Sequence, residues 1–215
     1  MDRRKALKNM GMALGYTVAT PTLVSIMQSC KGEQAIEWTP DFFTKEEGKV
    51  LTTLIDIILP KTDTPSASEV QVDLFIDRFV NEVVEKENQD FIKMSMDKFM
   101  DKALKDAGKE KIADLSAEDL EPVLASALKV TKEKEVAHFD MINKYHEDVE
   151  QGKESVLDDE VSRFAFANNL RGLTIWGYKT SEYVGEEVLA YLPVPGEYKG
   201  CVDVQELTGG KAWSL

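Results

Sequence analysis

Two cysteines and two histidines are all that this 215-residue chain carries, and those shortages exclude much chemistry. Cys30 and Cys201 cannot build a disulfide scaffold or a four-thiolate iron–sulfur cluster. No Cys-x-x-Cys-His run is present, so covalent c-type haem attachment is excluded. The histidines, His138 and His146, lie on one polar stretch. Glu135-Val136-Ala137-His138 matches the Glu-x-x-His pattern of di-iron helical bundles, but such a site needs the pattern twice. Residues 143–146 read Asn-Lys-Tyr-His, so the second copy is missing and a solvated helix face is the simpler reading. Gly-rich phosphate loops and the Gly-x-Ser-x-Gly elbow are also missing. No catalytic, cofactor-binding or metal-binding residue is assigned, and a non-catalytic role is expected.

Positive charge is scarce as well. Lys and Arg total 26 against 39 Asp and Glu, for a net charge of −13. Such a balance argues against nucleic-acid binding, which requires clustered cations at the phosphates. It argues equally against adhesion to anionic lipid headgroups.

Four of the basic residues sit in the first eight positions, Met1-Asp2-Arg3-Arg4-Lys5-Ala6-Leu7-Lys8. A mildly apolar stretch follows from Met10 to Met27, diluted by Gly11, Gly15, Tyr16, Thr17, Thr20 and Pro21. That is too weak for a transmembrane helix, which needs about twenty strongly apolar residues. A basic start, a short apolar run and a small residue before a polar boundary form an export signal. Adjacent Arg3 and Arg4 resemble the twin-arginine address. Ser29-Cys30 resembles the end of a lipobox, with Met27 where leucine is usual, so Cys30 is the expected lipidation site. The expected divisions are a cleaved signal over 1–29, a tether over 30–42 and a domain over 43–215. Removing the signal leaves 22 basic and 38 acidic residues, a net charge of −16. Lipidation of Cys30 would leave Cys201 without a partner in this chain, making it a candidate for a disulfide to another protein.

The body reads as all-α, one multi-helix domain ending in an irregular C-terminal arm. Thr44-Lys45-Glu46-Glu47 is a capping box opening a helix with Val50, Leu51, Leu54, Ile55 and Ile58 on one face, ended by Pro60. Val72 to Val84 and Phe91 to Leu104 mark two further amphipathic helices, the latter closed by Gly108. Ser116 caps the next, with Leu115 and Leu120 as a staple and a break expected near Thr131. A last long helix starts near Asp158 and carries Phe164, Phe166, Leu170, Leu173, Ile175 and Trp176. Gly172 and Gly177 within it suggest close backbone approach or a break, and the break is expected between Tyr178 and Tyr183. From Pro193 onward the chain reads as loop.

Several islands resemble subunit 3 of gluconate 2-dehydrogenase, the small gamma subunit of exported flavin-dependent sugar and sugar-acid dehydrogenases. They are Phe43-Thr44-Lys45-Glu46-Glu47, Leu54-Ile55-Asp56-Ile57-Ile58-Leu59-Pro60, Thr62-Asp63-Thr64-Pro65-Ser66-Ala67 and Phe75-Ile76-Asp77. Gly177-Tyr178-Lys179-Thr180-Ser181-Glu182 and Pro195-Gly196-Glu197-Tyr198-Lys199-Gly200-Cys201 complete the set. The family usually has Pro-Gly-Ala at Pro65-Ser66-Ala67 and a second aromatic at Lys179. The resemblance implies an accessory subunit in the periplasm, supporting folding, flavin loading or secretion of a large flavoprotein. It implies FAD in that partner and haem in a cytochrome c subunit, with none in this chain. Phe164, Trp176, Tyr178, Tyr198 and the arm bearing Cys201 are the expected partner contacts, since aromatics anchor interfaces. The alternatives are a stand-alone exported metal-binding or ferritin-like protein using Glu135 and His138, or a carbohydrate-binding surface lipoprotein.

Overall fold

The computed structural model describes residues 39–194, 196 and 200–214. Arg3, Arg4, Cys30 and Tyr198 lie outside them. The described residues are helical, with α1 Lys45–Ile58, α2 Val72–Glu82, α3 Lys86–Ala107, α4 Ala117–Leu128, α5 Lys132–Glu150 and α6 Asp159–Thr180. A π turn over Val184–Val188 and a short α7, Val204–Thr208, follow. No strand occurs among them, only an isolated bridge between Ala190 and Trp213.

Each start and stop has a local cause. In α1 the Thr44 hydroxyl accepts from the Glu47 N–H while the Glu47 carboxylate accepts from the Thr44 N–H, the reciprocal capping box. Gly108 ends α3 at φ 63°, a left-handed conformation that glycine adopts without strain. Thr131 caps α5 and marks the anticipated break after α4. At α4 the Asp119 carboxylate accepts from both the Ser116 N–H and O–H. Lys109 bonds the same carboxylate and, with the Ser116 donors, holds its pKa well below the usual carboxylate range. Asp203 caps α7, so the C-terminal arm carries one helical turn where only loop was expected.

Helix α6 is the hub, packing against α1, α2, α3, α4 and α5. Its first half is therefore buried on several sides, with Val161, Phe164, Ala165, Phe166, Ala167 and Leu170 all buried. Helix α1 contributes Val50, Leu51, Leu54 and Ile55, and α3 contributes Met96, Phe99 and Met100. Burying each of the larger side chains stabilises the fold by about 1.5–3 kcal/mol. Ahead of α1 the backbone of Asp41, Phe42 and Phe43 is anchored to α2 by Asp77.

Candidate functional site

Islands scattered along the sequence meet at one corner of the molecule. Its centre is the loop between α1 and α2. Asp56, near the end of α1, accepts from the Ser68 N–H at 2.9 Å and the Ser68 O–H at 2.6 Å. Ala67, fully buried, donates its N–H to the Leu59 carbonyl and accepts from the Val72 N–H. Glu69 accepts from the Ser66 N–H and pairs with Lys61. The loop is thus tied to the end of the helix before it and to the start of the helix after it. Gln71, which opens α2, takes φ 60°, the one non-glycine in the left-handed region among the described residues.

The end of α6 closes the corner. The Tyr178 hydroxyl donates to the Pro65 carbonyl at 2.8 Å, linking positions 113 residues apart. Gly177 is buried against α2, and a Cβ there would stand 2.5 Å from Phe75 Cδ1. Only glycine fits that approach. Trp176 packs edge-on to Phe75 and Phe79, at 5.0 and 5.1 Å between ring centroids, and still exposes 42 % of its surface. Behind this cluster the Asp77 carboxylate, fully buried, accepts N–H bonds from Asp41, Phe42 and Phe43 at 2.7–3.1 Å. A carboxylate at a core-facing position between Ile76 and Val80 is the sequence signal for this anchor.

The expected contact residues divide accordingly. Phe164 is only 2 % exposed, ringed by His138 and Phe139, and belongs to the core, so it has no surface for a partner. Tyr178 holds the loop from inside the domain through its hydroxyl, half-buried. Trp176 is accessible, as are Ile175 and Tyr183 nearby in the chain. Cys201 is a free, exposed thiol. His138 is buried against the Phe164 ring and Glu135 is half-buried one turn away. No group of three or more His, Cys, Asp or Glu side chains is placed to hold a metal among the described residues. Gly172, unlike Gly177, faces open space.

The opposite end of the α1 interface is electrostatic. The buried Glu47 carboxylate receives Lys93 Nζ from α3 at 2.5 Å. Burial pushes this carboxyl up, but the Lys93 ammonium and the Thr44 amide and hydroxyl together outweigh it and hold the pKa below its ordinary value. A lowered carboxyl stabilises fully above its unfolded pKa, and that stabilisation is lost as pH falls through the folded value. Stability should therefore decline as acid is added below about pH 4.5. Lys93→Met should cost about 1–2 kcal/mol at neutral pH, because Glu47 is left buried and unpaired. Its deficit against the wild type should shrink on acidification, since the unpaired carboxyl then protonates. Denaturant melts from about pH 7 to pH 3 check this, and a deficit that stays constant would contradict it.

The family model for gluconate 2-dehydrogenase subunit 3 matches residues 45–196, from the first turn of α1 to just past the π turn. No curated protein and no solved structure matches the chain. The matched span contains the whole corner of Asp56, Ala67, Phe75, Asp77, Gly177 and Tyr178, and leaves the signal-like N-terminus and Cys201 outside. A family match over more than two thirds of the chain, on a fold that is helical among the described residues, places this protein in the gluconate 2-dehydrogenase subunit 3 family.

Proposed function

We propose that this chain is the non-catalytic small subunit of an exported, flavin-dependent sugar or sugar-acid dehydrogenase, and that it assists folding, export or assembly of the flavoprotein subunit. The observation that carries the reading is the family match over residues 45–196, because the family is by its description a subunit of a dehydrogenase. In this reading Arg3 and Arg4 supply the twin-arginine address for the pair. Export in the folded state suits a partner whose FAD must be inserted beforehand. Cys30 carries the lipid that tethers the complex to the periplasmic face of the membrane. No helix among the described residues is long and apolar enough to cross a membrane, so in this reading attachment rests on the lipid. The partner holds the FAD, and a cytochrome c subunit holds the haem that takes the electrons.

Exposed Cys201 and Trp176 support a partner-facing role for the C-terminal part of the chain. Affinity capture of the full chain from native membranes should recover a flavoprotein with the yellow absorbance of bound flavin. On a non-reducing gel, a Cys201 bridge to that partner would appear as a larger, thiol-sensitive band. Recovery of the chain without any flavoprotein would refute the reading. Recovery of the pair without the band would remove only the disulfide.

A further inference from the structure

The packed corner has an open outer side. Between α2 and the last turn of α6 lies a groove of about 420 Å³. It continues past Val70, Gln71 and Ser181 into a second hollow of about 460 Å³ beside the π turn. Phe75, Phe79 and Val83 stand four residues apart and form one wall of the first part. They present an apolar stripe roughly 12 Å long, at 1.5 Å of rise per residue. Val83 is 63 % exposed, so nothing in the described chain covers the end of the stripe.

The rim has the opposite character. Glu82 borders the first part, and Glu182, Glu186 and Glu187 border the second. None of these four carboxylates forms an ion pair among the described residues. Arg78 is the one cation among the residues lining either part. An apolar stripe ending in carboxylates without ion pairs fits a segment with apolar anchors and Lys or Arg beyond them, the helix-in-groove mode with a charged flank. A second copy of this chain fits poorly, since its body carries −16 and would bring acid to acid. The chain's own C-terminal arm is held at the far edge of the second hollow, bridged at Ala190 and Trp213, with Ser214 against Gly185 and Lys211 Nζ donating to the Glu187 carbonyl, and it does not line the stripe of Phe75, Phe79 and Val83.

We infer that this groove is the docking site for a basic-flanked apolar segment of the dehydrogenase's large subunit. The inference rests on the proposed function and adds where and by what chemistry the partner is held. The test places a photo-crosslinking amino acid at Val83 in the full chain, expressed in its native cells and recovered from their membranes. A control position is Val156, ahead of the other end of α6, which is about 33 Å long. The expected crosslink joins Val83 to a large-subunit peptide with Lys or Arg flanking apolar residues. The triple variant Glu182→Lys, Glu186→Lys, Glu187→Lys should bind that subunit about tenfold more weakly at low salt and lose the salt dependence of the wild type. A complex that crosslinks only from Val156 would overturn the groove and leave the proposed function standing. So would a Val83 crosslink to a second copy or to residues 1–38 of the same chain. Failure of any large subunit to co-purify would overturn both.

Discussion

Replacing Asp77 by alanine should be the most damaging single change in this domain, costing about 3–5 kcal/mol. The carboxylate is fully buried and is the acceptor for the N–H groups of Asp41, Phe42 and Phe43. Its removal strands three donors at once, each carrying a desolvation penalty of about 1–3 kcal/mol, less what water recovers at the half-exposed positions. The segment before α1 should detach, exposing the edge of Phe43 and one end of the core. Asp77→Asn keeps one carbonyl oxygen but turns an amide N–H₂ toward a second donor, so it should lose roughly half as much. Denaturant unfolding gives the magnitudes, and faster hydrogen exchange at Asp41, Phe42 and Phe43 would localise them. A loss below about 1 kcal/mol for alanine would show that the anchor contributes little.

Gly177→Val should be nearly as severe, about 3 kcal/mol, at the upper end of the range for overpacking. The first added carbon already stands 2.5 Å from Phe75 Cδ1, and that ring is held in turn by Trp176. Relief requires α6 to move away from α2, which would also pull Tyr178 from the Pro65 carbonyl. Gly172, five residues earlier on the same helix, is the internal control. Nothing lies within 4 Å of a Cβ built there, so Gly172→Ala should stabilise the isolated domain by about 0.5–1 kcal/mol through helix propensity. Thermal melts of the two variants should move in opposite directions. A Gly177→Val domain with unchanged stability would mean that the contact between α2 and α6 is looser than drawn.

The helices were largely legible because their signals are local. A capping box at Thr44 and Glu47, apolar residues at helical spacing and a glycine at 108 each act within a few residues. The short α7 escaped because Pro195, Gly196, Gly200, Gly209 and Gly210 dominate that stretch, while its Asp203 cap is a single residue. The candidate site was legible only in part. Trp176 and Phe164 look alike as aromatics in sequence, and only the meeting of five helices at α6 leaves the first exposed and the second buried. Gln71 and the acidic rim carry no periodic signal, and that of Asp77 is a single carboxylate on an apolar face. Their roles arise from contacts between distant segments, such as the 113-residue span from Pro65 to Tyr178. Gly172 and Gly177 look alike in sequence, and only the position of Phe75 separates them.

The most direct measurement is capture of the full, tagged chain from its native membranes, with bound flavin read by absorbance and the captured partner identified by mass spectrometry. The account predicts one flavin-bearing dehydrogenase subunit recovered with the chain, and no flavin on the chain purified alone. Recovery of this chain without a flavoprotein, or flavin held by this chain itself, would contradict it.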